Sequence, residues 1–166
     1  MATKITTSGI DDLERMLQKL GDQAQDVAAK GLYEGAGVIA DAYTRGTKNV
    51  QTERFHYLAR PDLTGTMRYA SPEEKAAITG KSGISAFRKD TDSVETLVGF
   101  RDSAGYTQVA GKKKAVVLLV RSINSGTSFM HKQPVWRKEV TKSRKNAQEK
   151  IVTTAEKLID EIINGK

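Results

Sequence analysis

QAQDVAAKGLYEGAGVIADAY, residues Gln23 to Tyr43, is the stretch on which the fold turns. At 100° per residue, Ala24, Val27, Ala28, Gly31, Leu32, Gly35, Val38, Ile39 and Ala42 share one arc of roughly 140°, which predicts an amphipathic helix. Its inner face is made mainly of small residues, including a Gly31-x-x-x-Gly35 pair. Each glycine costs about 1 kcal/mol of helix propensity, so the pair implies another backbone in close approach. Lys30, Glu34 and Asp41 on the same helix exclude a membrane dimerisation motif. Packing on a sheet or on a neighbouring subunit is the expectation.

Upstream, Leu13, Met16, Leu17 and Leu20 follow helical spacing, Asp11 with Glu14 resembles a capping box, and Gly21 supplies a stop. A separate short helix over Ile10–Leu20 is therefore expected. Downstream, 44–66 has no clear period and carries Arg45, Lys48, Arg54, Phe55, His56, Tyr57, Arg60 and Pro61. It reads as a long loop or arm, and a structureless loop above about 15 residues in a compact domain is usually functional. Ser71-Pro72-Glu73-Glu74 opens a short helix to Thr79, with Ser71 as N-cap and Pro72 at the first helical position.

From Gly83 the period shortens. Ile84–Arg88 and Val94–Phe100 flank the turn-rich Lys89-Asp90-Thr91-Asp92 and predict a strand hairpin. Ala115–Ile123, β-branched and apolar on both faces, reads as a central strand ended by Asn124-Ser125-Gly126-Thr127. Pro134 opens a last helix to about Ile163. Its stripe is Trp136, Val140, Ala147, Ile151, Ala155, Leu158 and Ile162. Lys138, Lys142 and Lys145 lie on another face. Arg137 and Arg144 fall beside or within the stripe, where unpaired charge is costly, so pairing at an interface is expected of them.

At 166 residues the chain fits a single α+β domain, 1–166, in which N-terminal helices and a long C-terminal helix pack on a small antiparallel sheet. The net charge of +7 is unevenly spread. Residues 111–150 hold eleven basic and two acidic side chains, and the rest of the chain is close to neutral. Lys112, Lys113 and Lys114 open that stretch, and with Lys138, Lys142 and Lys145 they form a candidate basic docking face. Solvated gatekeeping, phosphate contacts to nucleic acid, and docking on acidic protein surfaces all suit such a run. Phe129 and Trp136 are its only aromatics, and Trp136 lies on the apolar stripe, which argues against sequence-specific readout.

Other chemistry is thin. With no cysteine, disulfide scaffolds, thiolate metal sites and Cys nucleophiles are excluded. The longest apolar run, Ala115–Val120, is far too short to span a membrane, and Met1–Asp12 lacks the apolar core of a signal peptide. Gly80-Lys81-Ser82 ends like a P-loop, but Lys75 stands where the first glycine belongs. His56 and His131 lack the spacing of a metal site or triad, and Asp90, Asp92 and Glu95 suit a turn without forming a calcium loop. No cofactor and no enzymatic activity are expected.

The order of segments carries a resemblance. A Gly-Ile-Asp-Asp-Leu helix start and a small-residue helix precede Leu63-Thr64-Gly65-Thr66-Met67-Arg68. A strand hairpin, Ile123-Asn124-Ser125-Gly126-Thr127 and Gln133-Pro134-Val135-Trp136-Arg137 then lead to the terminal helix. This order resembles the tail-completion or neck proteins of long-tailed phages, a family that includes relatives of the lambda minor tail protein Z. The family has Thr-Gly-x-Leu-Arg, Glu-aromatic-Gly-Thr and Pro-Phe-Leu-Arg-Pro at the corresponding places. Here Met67, Asn124-Ser125, Val135-Trp136 and Lys138 depart from that pattern.

The resemblance implies a non-enzymatic virion subunit, made in the bacterial host cytoplasm, that forms a six-fold or twelve-fold homo-oligomeric ring at the head–tail junction. Neighbouring neck and tail proteins would be its partners, with genomic DNA in the lumen as a further contact and no membrane. Phe55 and Tyr57 on the arm, with Arg137 and Arg144, are the expected interface anchors. The alternative is a non-sequence-specific DNA-binding protein that uses residues 111–150.

Overall fold

The computed structural model describes residues 10–53, 67–89, 93–100, 105–109 and 111–164. Along the chain, α1 (Ile10–Lys48) and α2 (Pro72–Ile78) precede six short strands. These are β1 (Ser82–Ile84), β2 (Arg88–Lys89), β3 (Val94–Glu95), β4 (Val98–Phe100), β5 (Tyr106–Val109) and β6 (Lys112–Ala115). The chain then enters α3 (Val116–Ser125) and α4 (Val135–Asn164). The class is α+β, and the strands form three two-stranded antiparallel pairs.

The glycine-notched stretch lies inside α1, a helix of 39 residues and about 58 Å. The two expected helices are one. Gly21 faces open space, with nothing within 4 Å of a Cβ built there, and one solvent-facing glycine costs only about 1 kcal/mol. The helix also runs through Thr44–Lys48, so the expected loop over 44–66 begins later. Contacts from α4 hold this last turn: Arg45 Nη2 donates to Ser143 Oγ at 2.8 Å, and the Trp136 indole N–H donates to Thr47 Oγ1 at 3.0 Å. The Lys75 ammonium donates to the Lys48 and Val50 carbonyls at 2.7 and 2.8 Å, which suits the negative end of the helix dipole.

Helix α4 lies antiparallel along α1. A Cβ on Gly46 would meet Trp136, one on Gly35 would meet Ile151 and Ala147, and one on Gly31 would meet Ile151 and Ala155. The notch therefore receives α4 of the same chain. It serves neither a sheet nor a second subunit.

Strands β1 and β4, and β2 and β3, continue one hairpin in the expected place. Ser85 and Thr96 bridge the break between the two ladders: the Leu97 N–H donates to Ser85 Oγ at 2.9 Å and Thr96 Oγ1 donates to the Ser85 carbonyl at 3.0 Å. Strands β5 and β6 form a second hairpin.

The expected central strand over Ala115–Ile123 is instead α3. Val116, Leu119 and Ile123 are buried, Val120 is half-buried, and Leu118 is 62% exposed. That is the i, i+3, i+4, i+7 face of a helix, and strand alternation would have turned Arg121 to the same side as Leu119 and Ile123. A short apolar run satisfies both periods until something packs on it. The core joins these α3 residues to Val50, Ala70, Ile78, Val109, Met130 and Trp136.

Candidate docking site

Three distant pieces of chain meet beside the core. The Arg68 N–H donates to the Phe129 carbonyl at 3.0 Å, the His131 N–H donates to the Arg68 carbonyl at 2.9 Å, and the Gln133 N–H donates to the Ile123 carbonyl at 2.9 Å. The Gln133 side chain accepts from the Gln51 N–H at 2.8 Å and donates to the Gln51 carbonyl at 3.2 Å, as a neighbouring strand would. His131, weighed as a catalytic candidate, stacks on the Tyr69 ring at 4.6 Å.

Helix α2 supplies the anchor of this junction. Ser71 caps it, Glu74 closes the capping box, and the Glu74 side chain is fully buried. Arg68 donates to both Glu74 oxygens, at 2.7 and 2.8 Å, Lys114 donates at 2.9 Å, and the Ser71 N–H adds a bond at 2.9 Å. Burial alone pushes the Glu74 carboxyl up. Hydrogen bonds from Arg68, Lys114 and the Ser71 backbone outweigh burial and bring it from 4.5 down to about 2. Lys114, itself half-exposed, is therefore engaged by the buried Glu74 carboxylate.

The other basic residues stay at the surface. Lys112 and Lys113 are exposed on β6, with the Lys113 ammonium 4.6 Å from the Tyr106 ring centroid. Lys138, Lys142 and Lys145 are exposed on α4, where Lys142 pairs with Glu139 at 3.0 Å and Lys145 with Glu149 at 3.7 Å. Arg137 and Arg144 are exposed and make no ion pair among the described residues, which leaves both open to a partner. Phe55, Tyr57 and His56 lie outside the described residues, as do Asp90 and Asp92.

One groove brings several of these features together. Tyr43, Phe100, Trp136, Val117, Val120 and Val140 line its floor, Arg121 and Arg137 stand on its rim, and its volume is about 490 Å³. The aromatic floor is ordered edge to face: Phe100 sits 5.7 Å from Tyr43 and 5.3 Å from Trp136, each at 80°. Asn124 lines the groove, and its buried Oδ1 has no hydrogen-bond partner among the described residues. Of this set, sequence reading singled out only Arg137. The missed members come from α1, β4 and α4 as well as α3, and for the α3 members the signal that could have found them is the helical spacing of Val116, Leu119, Val120 and Ile123.

Among the described residues no helix is long and apolar enough to cross a membrane, and no group of acidic or histidine side chains is placed to hold a metal ion. Compared with protein-family models, curated proteins and solved structures, the chain matches none.

Proposed function

We propose that the chain is a non-enzymatic structural subunit of a tailed-phage virion, a tail-completion or neck protein. It assembles as a homo-oligomeric ring of six or twelve copies at the head–tail junction. The observation that carries this reading is the meeting of the motif segments. Arg68, the turn at Ile123–Thr127 and Gln133–Trp136 were matched to the family only by their order along the chain. In space they share one hydrogen-bonded junction, joined to one another or to the residues next to them. Residues that meet this way are constrained together, which gives their order a physical reason. The exposed, cation-rimmed groove beside that junction suits a subunit that docks on neighbours.

Mass measurement of the purified protein, alone and mixed with the neck and tail proteins encoded beside it, tests the reading. Multiples of 18.2 kDa corresponding to a closed ring are expected. A strict monomer that is also absent from purified virions overturns it.

A DNA-binding role has one observation in its favour: the β5–β6 hairpin exposes Tyr106, Lys112 and Lys113 together. Affinity would then fall with salt at a log–log slope of about −0.9 per phosphate neutralised. Undetectable binding at about 50 mM salt removes it, since phosphate contacts are strong there.

A further inference from the structure

We propose that the groove between α1, α3 and α4 receives an acidic segment of a partner protein, anchored by one apolar side chain and flanked by carboxylates. The inference rests on the docking role proposed above and names the chemistry of the partner.

Two features of the groove select this occupant. Its floor is apolar and aromatic, so it favours an apolar side chain over water. Its rim is cationic without compensation, because Arg121 and Arg137 are exposed and unpaired among the described residues. Arg137 and Thr141 also border an adjoining depression with Lys132, Lys138 and Lys142, so the positive strip continues along α4. The nearby carboxylate of Glu139 is already engaged by Lys142 and Arg45, at 3.0 and 3.6 Å.

Nucleic acid fits less well. The Trp136 side chain is buried and its indole N–H is held by Thr47, so its ring is not offered as a stacking platform.

Trp136 is the only tryptophan and lines the groove, so its fluorescence reports occupancy. The probes are capped nonapeptides with leucine, phenylalanine or methionine at the centre and glutamates on both sides, tested on the full chain. At least one is expected to change Trp136 emission saturably, while the same peptide with lysines for glutamates does not. Arg121→Glu with Arg137→Glu, two surface changes, is expected to weaken binding about tenfold or more with the far-ultraviolet circular dichroism unchanged.

No saturable change with any acidic peptide overturns the proposal, as does equal binding of the lysine peptides. Oligothymidylate that binds as tightly as the best peptide overturns it in favour of nucleic acid. Trp136 emission that tracks protein concentration and mass, with added peptide excluded, overturns it in favour of a second copy. Mass is recorded on the same samples. A monomer that still binds peptide fails the ring reading alone, and a ring that ignores peptide fails this proposal alone.

Discussion

Replacing Glu74 with alanine removes the buried carboxylate that Arg68 and Lys114 share. Breaking a buried pair from one side costs about 3 kcal/mol or more, so Glu74→Ala is expected to lower the unfolding free energy by that amount, read as a lower urea midpoint at unchanged slope. The pH dependence has a definite sign. The folded carboxyl titrates at about 2 against its ordinary 4.5. Its stabilisation is therefore complete above the ordinary value and is lost as pH falls from 4.5 through about 2. Wild-type stability measured by urea titration should decline across that window, and Glu74→Gln should flatten the decline. This network was not legible in the sequence. Ser71 and Pro72 announced the helix, but nothing in the spacing of residues 68, 74 and 114 links them. Lys114 looked like part of an exposed run because its partner is reached only through tertiary packing.

Glycines within one helix separate into two kinds, and substitution should tell them apart. Gly35 and Gly46 face α4, where an added Cβ would collide with Ile151 and the Ala147 carbonyl, or with Trp136. Gly35→Ala and Gly46→Ala are expected to destabilise by about 1–3 kcal/mol, despite the gain in propensity. Gly37 has nothing within 4 Å, and Gly37→Ala should stabilise by about 0.5–1 kcal/mol. Thermal and urea unfolding of the three variants checks the contrast. Helix α3 gives a second contrast: Ile123→Ala should cost about 3 kcal/mol, and Leu118→Ala should stay within about 0.5 kcal/mol. The element types with long periods were legible, since α1, α2 and α4 follow from caps and apolar arcs. Gly21 misled because a glycine breaks a helix only where nothing else sustains it. Ala115–Ile123 misled because its first six residues are apolar on every side and only Arg121 and Ser122 separate the helical face from strand alternation.

The molecule is organised by a pair of long helices, with α2 held at the last turn of α1 and the first hairpin laid along α1 from Asp26 to Tyr43. Its charge is arranged on that frame: Glu74, Glu139 and Glu149 engage Lys114, Lys142 and Lys145, while Arg121, Arg137 and Lys138 remain available. If acidic neighbours dock there, complex mass measured between 50 and 500 mM salt should fall steeply, because exposed charges are screened within about 10 Å at 0.1 M. The segmental charge excess was legible as a total. Which lysines are free was not, because the acids that pair with them come from the same helix or from a distant one.

The antiparallel union of α1 with α4 also sets an order of events during synthesis. The residues that cover Gly31, Gly35 and Gly46 lie between Trp136 and Ala155, about a hundred residues further along the chain. At 5–20 residues per second, α1 leaves the ribosome and waits on the order of ten seconds before its covering helix exists. During that interval its small-residue face is bare and the whole middle of the chain is an unclosed loop. The helix pair therefore cannot close until α4 has left the ribosome, and a nascent chain stalled before Pro134 should be protease-sensitive along its entire length.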